Sequence, residues 1–112
     1  AIVEAKTAAL FEAAARAGAC TATNDETISD AMGEYGRRLG RAFQIVDDLL
    51  DYGGDSTAIG KNAGDDFRER KLTLPAIKAV AAADAEERAF WTRVFEKGDQ
   101  RDSDLCHAID LM

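Results

Sequence analysis

The chain has 112 residues, 46% of them hydrophobic, with a single proline at Pro75. That is enough for one small domain with a modest core, and too apolar for a disordered polar chain. The net charge of -7 argues against a nucleic-acid backbone binder and suits a cation, a basic partner or simply an acidic soluble surface.

No apolar run reaches the ~20 residues needed to span a bilayer, and no signal peptide is visible, so a cytoplasmic protein without a transmembrane segment is expected. Cys20 and Cys106 are far apart and form no CxxC, so both are expected to be reduced thiols. His107 follows Cys106 directly, and adjacent residues on a helix point different ways, so they make a poor metal pair. Alanine is abundant and β-branched runs are absent, which favours helix throughout. The first residue is Ala1 and the last, Met112, falls in mid-pattern; residues 1–112 are therefore expected to be a single partial domain of a longer protein.

In chain order, Ile2 to Ala17 reads as one helix, with Gly18 as its stop. Ala19 to Asn24 reads as a loop. Thr23 and Glu26 fit a capping box opening a second helix. That helix should run to about Tyr52. Its apolar residues, Ile28, Met32, Tyr35, Leu39, Ala42, Val46 and Leu49, are spaced by alternating steps of four and three and form a heptad seam. Gly33, Gly36 and Gly40 inside it point to close helix packing, since each is unfavourable by about 1 kcal/mol against alanine in a helix interior. Gly53-Gly54 ends the helix, and Asp55 to Lys71 reads as a loop. Pro75 suits the first turn of a further helix, Asp84 is a candidate N-cap and Gly98 a candidate stop. There are no internal repeats and no alternating strand patterns. The expected fold class is all-α, built from packed helices.

The informative stretch is Phe43 to Asp51. At ~100° per residue, Gln44, Asp47, Asp48 and Asp51 share one helix face, and Ala42, Ile45, Val46, Leu49 and Leu50 the other. Like charges one turn apart destabilise a helix by ~0.2–0.5 kcal/mol per pair, and carboxylates at the negative end of the helix dipole by a further ~0.3–1 kcal/mol. A bound divalent cation would relieve both penalties. Magnesium takes one or two carboxylates, keeps waters and shares its other positions with substrate phosphates. Spacing alone leaves open a solvated acidic helix end. Lys61 and Lys71 lie downstream with Asp65 and Asp66 between them, so a diphosphate could be held by metal on one side and ammonium groups on the other.

Phe43–Tyr52 resembles the second aspartate-rich motif of the trans-isoprenyl diphosphate synthases. Gly60-Lys61-Asn62-Ala63-Gly64-Asp65-Asp66 is similar to the loop that follows it, Lys71-Leu72-Thr73-Leu74-Pro75 to the family's KxTxP segment, and Lys6-Thr7-Ala8 to its lysine-threonine motif. The four stand in the family's order. The resemblance implies part of the isoprenoid-synthase helical bundle, from the region after the midpoint of the enzyme, and a magnesium-dependent transferase. In that chemistry an allylic diphosphate ionises, isopentenyl diphosphate attacks the carbocation, and loss of a proton leaves a chain one isoprene unit longer.

Carried over residue by residue, the resemblance makes Asp47 the direct Mg2+ ligand, with Asp48, Asp51 and Asp65 binding through the metal or its waters. Lys6, Lys61 and Lys71 would grip the allylic diphosphate, and Thr7 and Gln44 would place oxygens near the developing cation. The family's first aspartate motif and its isopentenyl diphosphate pocket have no counterpart in residues 1–112, so this chain by itself is expected to be inactive. Asp47 to Tyr52 looks closest to long-chain synthases of the octaprenyl and decaprenyl type, and the family implies a homodimer. A non-catalytic subunit of a heteromeric synthase and a terpene cyclase of the same bundle are the competing readings. Intact aspartates and lysines disfavour the first, and the Gly60–Asp66 and Lys71–Pro75 segments disfavour the second.

Overall fold

The computed structural model describes residues 4–53 and 63–112. Ile2, Gly54 and the segment 55–62, with Gly60 and Lys61, lie outside the described residues. Every regular element among the described residues is helical. A π-helical turn, Glu4–Ala8, leads into α1 (Ala9–Ala22). The long helix α2 spans Glu26–Gly53. A four-residue helix α3 (Asp65–Arg68), then α4 (Leu74–Ala82) and α5 (Ala85–Trp91), follow. A second π-helical turn (Thr92–Glu96) continues α5, and α6 is Asp104–Asp110. The chain forms two compact units, Ala1–Asp47 and Asp48–Met112, with the division falling inside α2.

Several boundaries differ from expectation for local reasons. Gly18 does not stop α1, which runs on to Ala22. A Cβ at Gly18 would meet nothing within 4 Å, so this glycine is a tolerated interior position and not a left-handed cap. The start of α2 is capped by Asp25 in place of Thr23. Asp25 Oδ1 accepts the Thr27 N–H at 2.8 Å and its carbonyl takes the first helical bond from Ser29, while Thr23 Oγ1 only accepts the Asp25 N–H. The expected loop before Lys71 contains α3. The remaining signals hold: Pro75 lies in the first turn of α4, and Gly98 adopts φ 70° just beyond the second π-helical turn. Asp84 caps α5 in a full capping box, its Oδ1 accepting the Glu86 and Glu87 N–H groups while Glu87 Oε2 accepts its own.

In the first unit α1 crosses α2 on the glycine stripe. A Cβ at Gly36 would lie 2.4 Å from the Phe11 carbonyl oxygen and 2.8 Å from Ala15 Cβ, and one at Gly40 2.7 Å from Ala8 Cα. The backbones therefore approach to a distance only glycine permits. The Phe11 and Phe43 rings meet at 5.4 Å beside the crossing. Arg37 forks onto Glu12 with bonds of 2.8 and 2.7 Å, and Arg16 pairs with Asp30 at 2.9 Å.

The buried residues of α2 are Ser29, Gly33, Gly36, Gly40, Gln44, Asp48 and Tyr52. The heptad seam is exposed along its length, with Tyr35 at 59% and Val46 and Leu49 at 52%. The apolar face read from the sequence is thus the open one, and the buried face is small and polar.

The second unit has the larger apolar core. Tyr52, Phe67, Ala79, Ala83, Trp91, Val94 and Ala108 are buried together. Phe95 packs edge-on to Phe67 at 5.7 Å and stacks on Trp91 at 5.6 Å.

Two glycine substitutions should move stability in opposite directions. Gly36→Ala forces the α1 and α2 backbones apart and is expected to destabilise by about 1–3 kcal/mol, as overpacking does. Gly18→Ala, in open space within α1, should stabilise by up to ~1 kcal/mol through helix propensity. Urea denaturation of the two variants beside the parent measures both.

Candidate functional site

The residues singled out in the sequence are positioned from several elements. Lys6 and Thr7 occupy the π-helical turn Glu4–Ala8. Such turns widen the backbone by one residue and are frequent at functional sites. Thr7 Oγ1 donates to Gln44 Oε1 at 2.5 Å, joining this turn to α2. Because the threonine proton is used in that bond, its lone pairs are what it can offer to a third group. Lys6 is exposed.

Gln44, Asp47, Asp48 and Asp51 follow one another through the last turns of α2. Gln44 and Asp48 are each 7% exposed, Asp51 is half-buried and Asp47 is exposed. Carboxylates there face the negative end of the helix dipole. Asp51 is engaged at two atoms in the second unit. Its carbonyl accepts the Gly64 N–H at 2.7 Å and its Oδ2 accepts the Asp66 N–H at 2.9 Å. It therefore ties the end of α2 to the start of α3. Gly64 makes this possible: it has φ 82°, and a Cβ there would collide with the Leu105 side chain at 2.5 Å. Burial raises the pKa of Asp51, and the charges of Asp66 and Asp65 raise it further, against the opposing effect of the Asp66 N–H bond.

Lys71 lies against carboxylates of its own segment. Its Nζ contacts Asp66 Oδ1 at 3.1 Å and Glu69 Oε2 at 2.5 Å, and these bonds push its pKa above the usual lysine range. Asp65 Oδ1 pairs with Arg68 Nη1 at 3.1 Å. Lys61 is outside the described residues, so its expected grip on a diphosphate is not described. Sequence reasoning missed Asp66 and Glu69 as partners of Lys71, since neither five nor two residues is a helical spacing. The chain meets itself there because Arg70 turns left-handed, at φ 57°.

It also missed two buried hydroxyls. Tyr52 Oη and Thr73 Oγ1 are both shielded from solvent and neither makes a hydrogen bond of good geometry. They lie close enough for Thr73 to influence the phenol. Burial raises the Tyr52 pKa most, and the charges of Asp66, Asp51 and Asp48 add to it. The signal in the sequence was Tyr52 itself, one turn beyond Asp48 and at the end of the motif.

Among the described residues no three His, Cys, Asp or Glu side chains are assembled into a metal cage. What α2 supplies is hard oxygen donors along one helix. That donor set suits magnesium, which needs only one or two protein carboxylates and takes its remaining ligands from water and phosphate.

The family model for polyprenyl synthetase matches residues 1–112. The chain belongs to the polyprenyl synthetase family. It is 43% identical over 102 residues to the octaprenyl diphosphate synthase of Haemophilus influenzae, a match covering 91% of this chain and 31% of that protein. The crystal structure of a decaprenyl diphosphate synthase from Rhodobacter capsulatus superposes with TM-score 0.88 at 63% identity, covering 98% of this chain and 34% of that one. A polyprenyl synthase from Caulobacter crescentus, complexed with calcium and isoprenyl diphosphate, gives TM-score 0.92 at 49% identity with the same coverage. The chain thus spans about a third of the length of these polyprenyl synthases, and its all-α architecture is theirs. Among the described residues no helix is long and apolar enough to cross a membrane.

Asp51→Asn should be a pH-dependent stabilisation in the absence of metal. The asparagine oxygen can still accept the Asp66 N–H, but carries no charge. Because the folded pKa of Asp51 is raised above the ordinary 3.8, the folded state binds its proton more tightly than the unfolded state. Ionised Asp51 therefore lowers stability above the folded pKa, and that loss is relieved as pH falls through it. The variant's gain in melting temperature should be full near neutral pH and vanish below the ordinary aspartate range. Equal gains at all pH values would contradict the raised pKa.

Proposed function

We propose that the chain forms the diphosphate-ionising part of a magnesium-dependent trans-polyprenyl diphosphate synthase, a transferase that condenses an allylic diphosphate with isopentenyl diphosphate. The observation that carries the reading is the juxtaposition, on α2, of the Thr7–Gln44 hydrogen bond with the run of Asp47, Asp48 and Asp51 beginning one turn later. The names of the octaprenyl and decaprenyl relatives favour a long-chain product.

Asp47, exposed and unobstructed by burial, is the residue to take a metal ion directly, with Asp48, Asp51 and Asp65 holding its waters or the metal itself. Bound magnesium would supply Lewis-acid assistance to departure of the diphosphate. The chain's own side chains do the rest. Lys6, Lys61 and Lys71 hold the phosphate oxygens. For Lys71 this requires exchange of Asp66 and Glu69 for phosphate. The Thr7 lone pairs, oriented by donation of its proton to Gln44, face the developing positive charge as a fixed dipole that needs no reorganisation. The exposed apolar residues of α2 would pack against helices from the other two thirds of the enzyme's length, closing the site to water that would quench a carbocation. A cytoplasmic homodimer is the setting proposed for the full-length enzyme.

The test is an assay of the full-length enzyme with magnesium, farnesyl diphosphate and labelled isopentenyl diphosphate. Turnover to a polyprenyl product is expected. Asp47→Ala should lower kcat by at least about a hundredfold, the scale lost with an electrostatic group acting on the leaving charge. Its metal-free melting temperature should stay the same or rise slightly, because a like charge is removed from the helix end. Residues 1–112 alone should give no product. Near-parental activity of the alanine variant would overturn the role of Asp47, and steady turnover by residues 1–112 would overturn the need for the missing helices.

A further inference from the structure

The segment from Arg93 to Asp104 belongs to none of the motifs, yet it is tightly built. Arg93 and the buried Asp104 meet fork to fork, with bonds of 2.8 and 2.9 Å. Arg93 Nη1 also donates to the Asp99 carbonyl at 2.7 Å, and the Arg101 N–H donates to Asp104 Oδ2 at 2.8 Å. Two parallel charge-assisted bonds fix orientation as well as distance, so the loop 97–103 is fastened at its base and held across its middle.

From that loop Gln100 reaches away from its own segment. Its Nε2 donates to the Phe67 carbonyl at 2.8 Å and to the Val94 carbonyl at 3.3 Å. Phe67 is at the end of α3, where the chain makes a Schellman turn: the Arg70 N–H bonds back to the Phe67 carbonyl at 3.0 Å and the Lys71 N–H to the Asp66 carbonyl at 2.8 Å. The left-handed position in such a turn usually holds glycine; here it is Arg70, the only non-glycine residue with positive φ among those described. Strained backbone persists where its surroundings over-determine it. The surroundings are the same loop, because the Arg70 side chain lies over Gly98, where a Cβ would stand 2.7 Å from Arg70 Nη1. The loop therefore grips the bend at two places, once through Gln100 on a backbone carbonyl and once through Gly98 beneath the arginine.

We propose that the loop 97–103 is a positioning element for the turn Asp65–Lys71, and that Gln100 is its positioning residue. By holding the Phe67 carbonyl it fixes the bend from which Asp66 and Lys71 project, and so the direction in which Lys71 meets a diphosphate. The diphosphate part rests on the function proposed above; the grip on the bend does not.

The test uses the full-length enzyme with Gln100→Met, which keeps length and loses the donor. Amide exchange at Arg70 and Lys71, measured without substrate, should quicken several-fold. KM for farnesyl diphosphate should rise by about five- to tenfold with kcat within about twofold, the pattern of lost ground-state and transition-state binding alike. Gln100→Asn, which keeps the amide but shortens its reach, should change both in the same direction and serves if the methionine variant does not fold. Unchanged exchange at Arg70 and Lys71 in a folded variant overturns the positioning role. Faster exchange with unchanged KM overturns its link to the diphosphate. A parent enzyme that fails to turn over at all counts against the proposed function, while the exchange measurement still decides whether Gln100 holds the bend.

Discussion

The close crossing of α1 on α2 is the constraint on which the first half of the site depends. Gly40 stands where a Cβ would press on Ala8 Cα, and Gly36 where one would press on the Phe11 carbonyl. Thr7 precedes Ala8, and Gln44 lies one turn beyond Gly40. The close approach of the two backbones brings their side chains within reach of the 2.5 Å bond between them. The glycines are unfavourable to the helix by about 1 kcal/mol each. What they give in return is a threonine hydroxyl held against a buried amide, with its lone pairs free of the proton.

In the second unit the governing problem is negative charge. Asp48 and Asp51 close α2, and Asp65, Asp66 and Glu69 follow within the next described residues. Two devices hold these together. Backbone N–H groups of Gly64 and Asp66 are turned onto Asp51, and the left-handed bend at Arg70 brings Lys71 back onto Asp66 and Glu69. Neither device satisfies the cluster fully, since burial and the neighbouring charges still raise the pKa of Asp51. Local stability alone would favour a lysine or asparagine at that position.

The helices, the caps at Asp84 and Pro75 and the close packing at the glycines were legible because each depends on residues within one turn, or on a side chain that is absent. Thr23 was mistaken for the cap because Thr23-Glu26 and Asp25 offer competing hydrogen bonds two residues apart, and spacing does not rank them. Gly18 was mistaken for a stop because glycine in a helix interior and glycine in a left-handed cap look alike in sequence. The engagement of Lys71 was hidden by an arginine in a left-handed position, which no propensity predicts. Periodicity also gave no sign that Gln44 and Asp48 of α2 would be buried.

That last miss has a physical cause that extends to the whole molecule. Periodicity identifies two faces of a helix and assumes that the apolar one is turned inward. In α2 both faces are made to be covered. The polar face is occupied by α1 at Gly36 and Gly40, and it buries Gln44 by means of a hydrogen bond. The opposite face carries Ile28, Met32, Tyr35, Leu39, Val46 and Leu49 in an unbroken seam, each at least 40% exposed. Soluble proteins rarely leave so long an apolar stripe in water. A helix with a small polar stripe packed on one side and a heptad seam on the other belongs at the centre of a bundle. Polar groups buried on such a helix must be bonded, and Gln44 is, to Thr7 of the π-helical turn that precedes α1, while the aspartates gather in the last turns of α2.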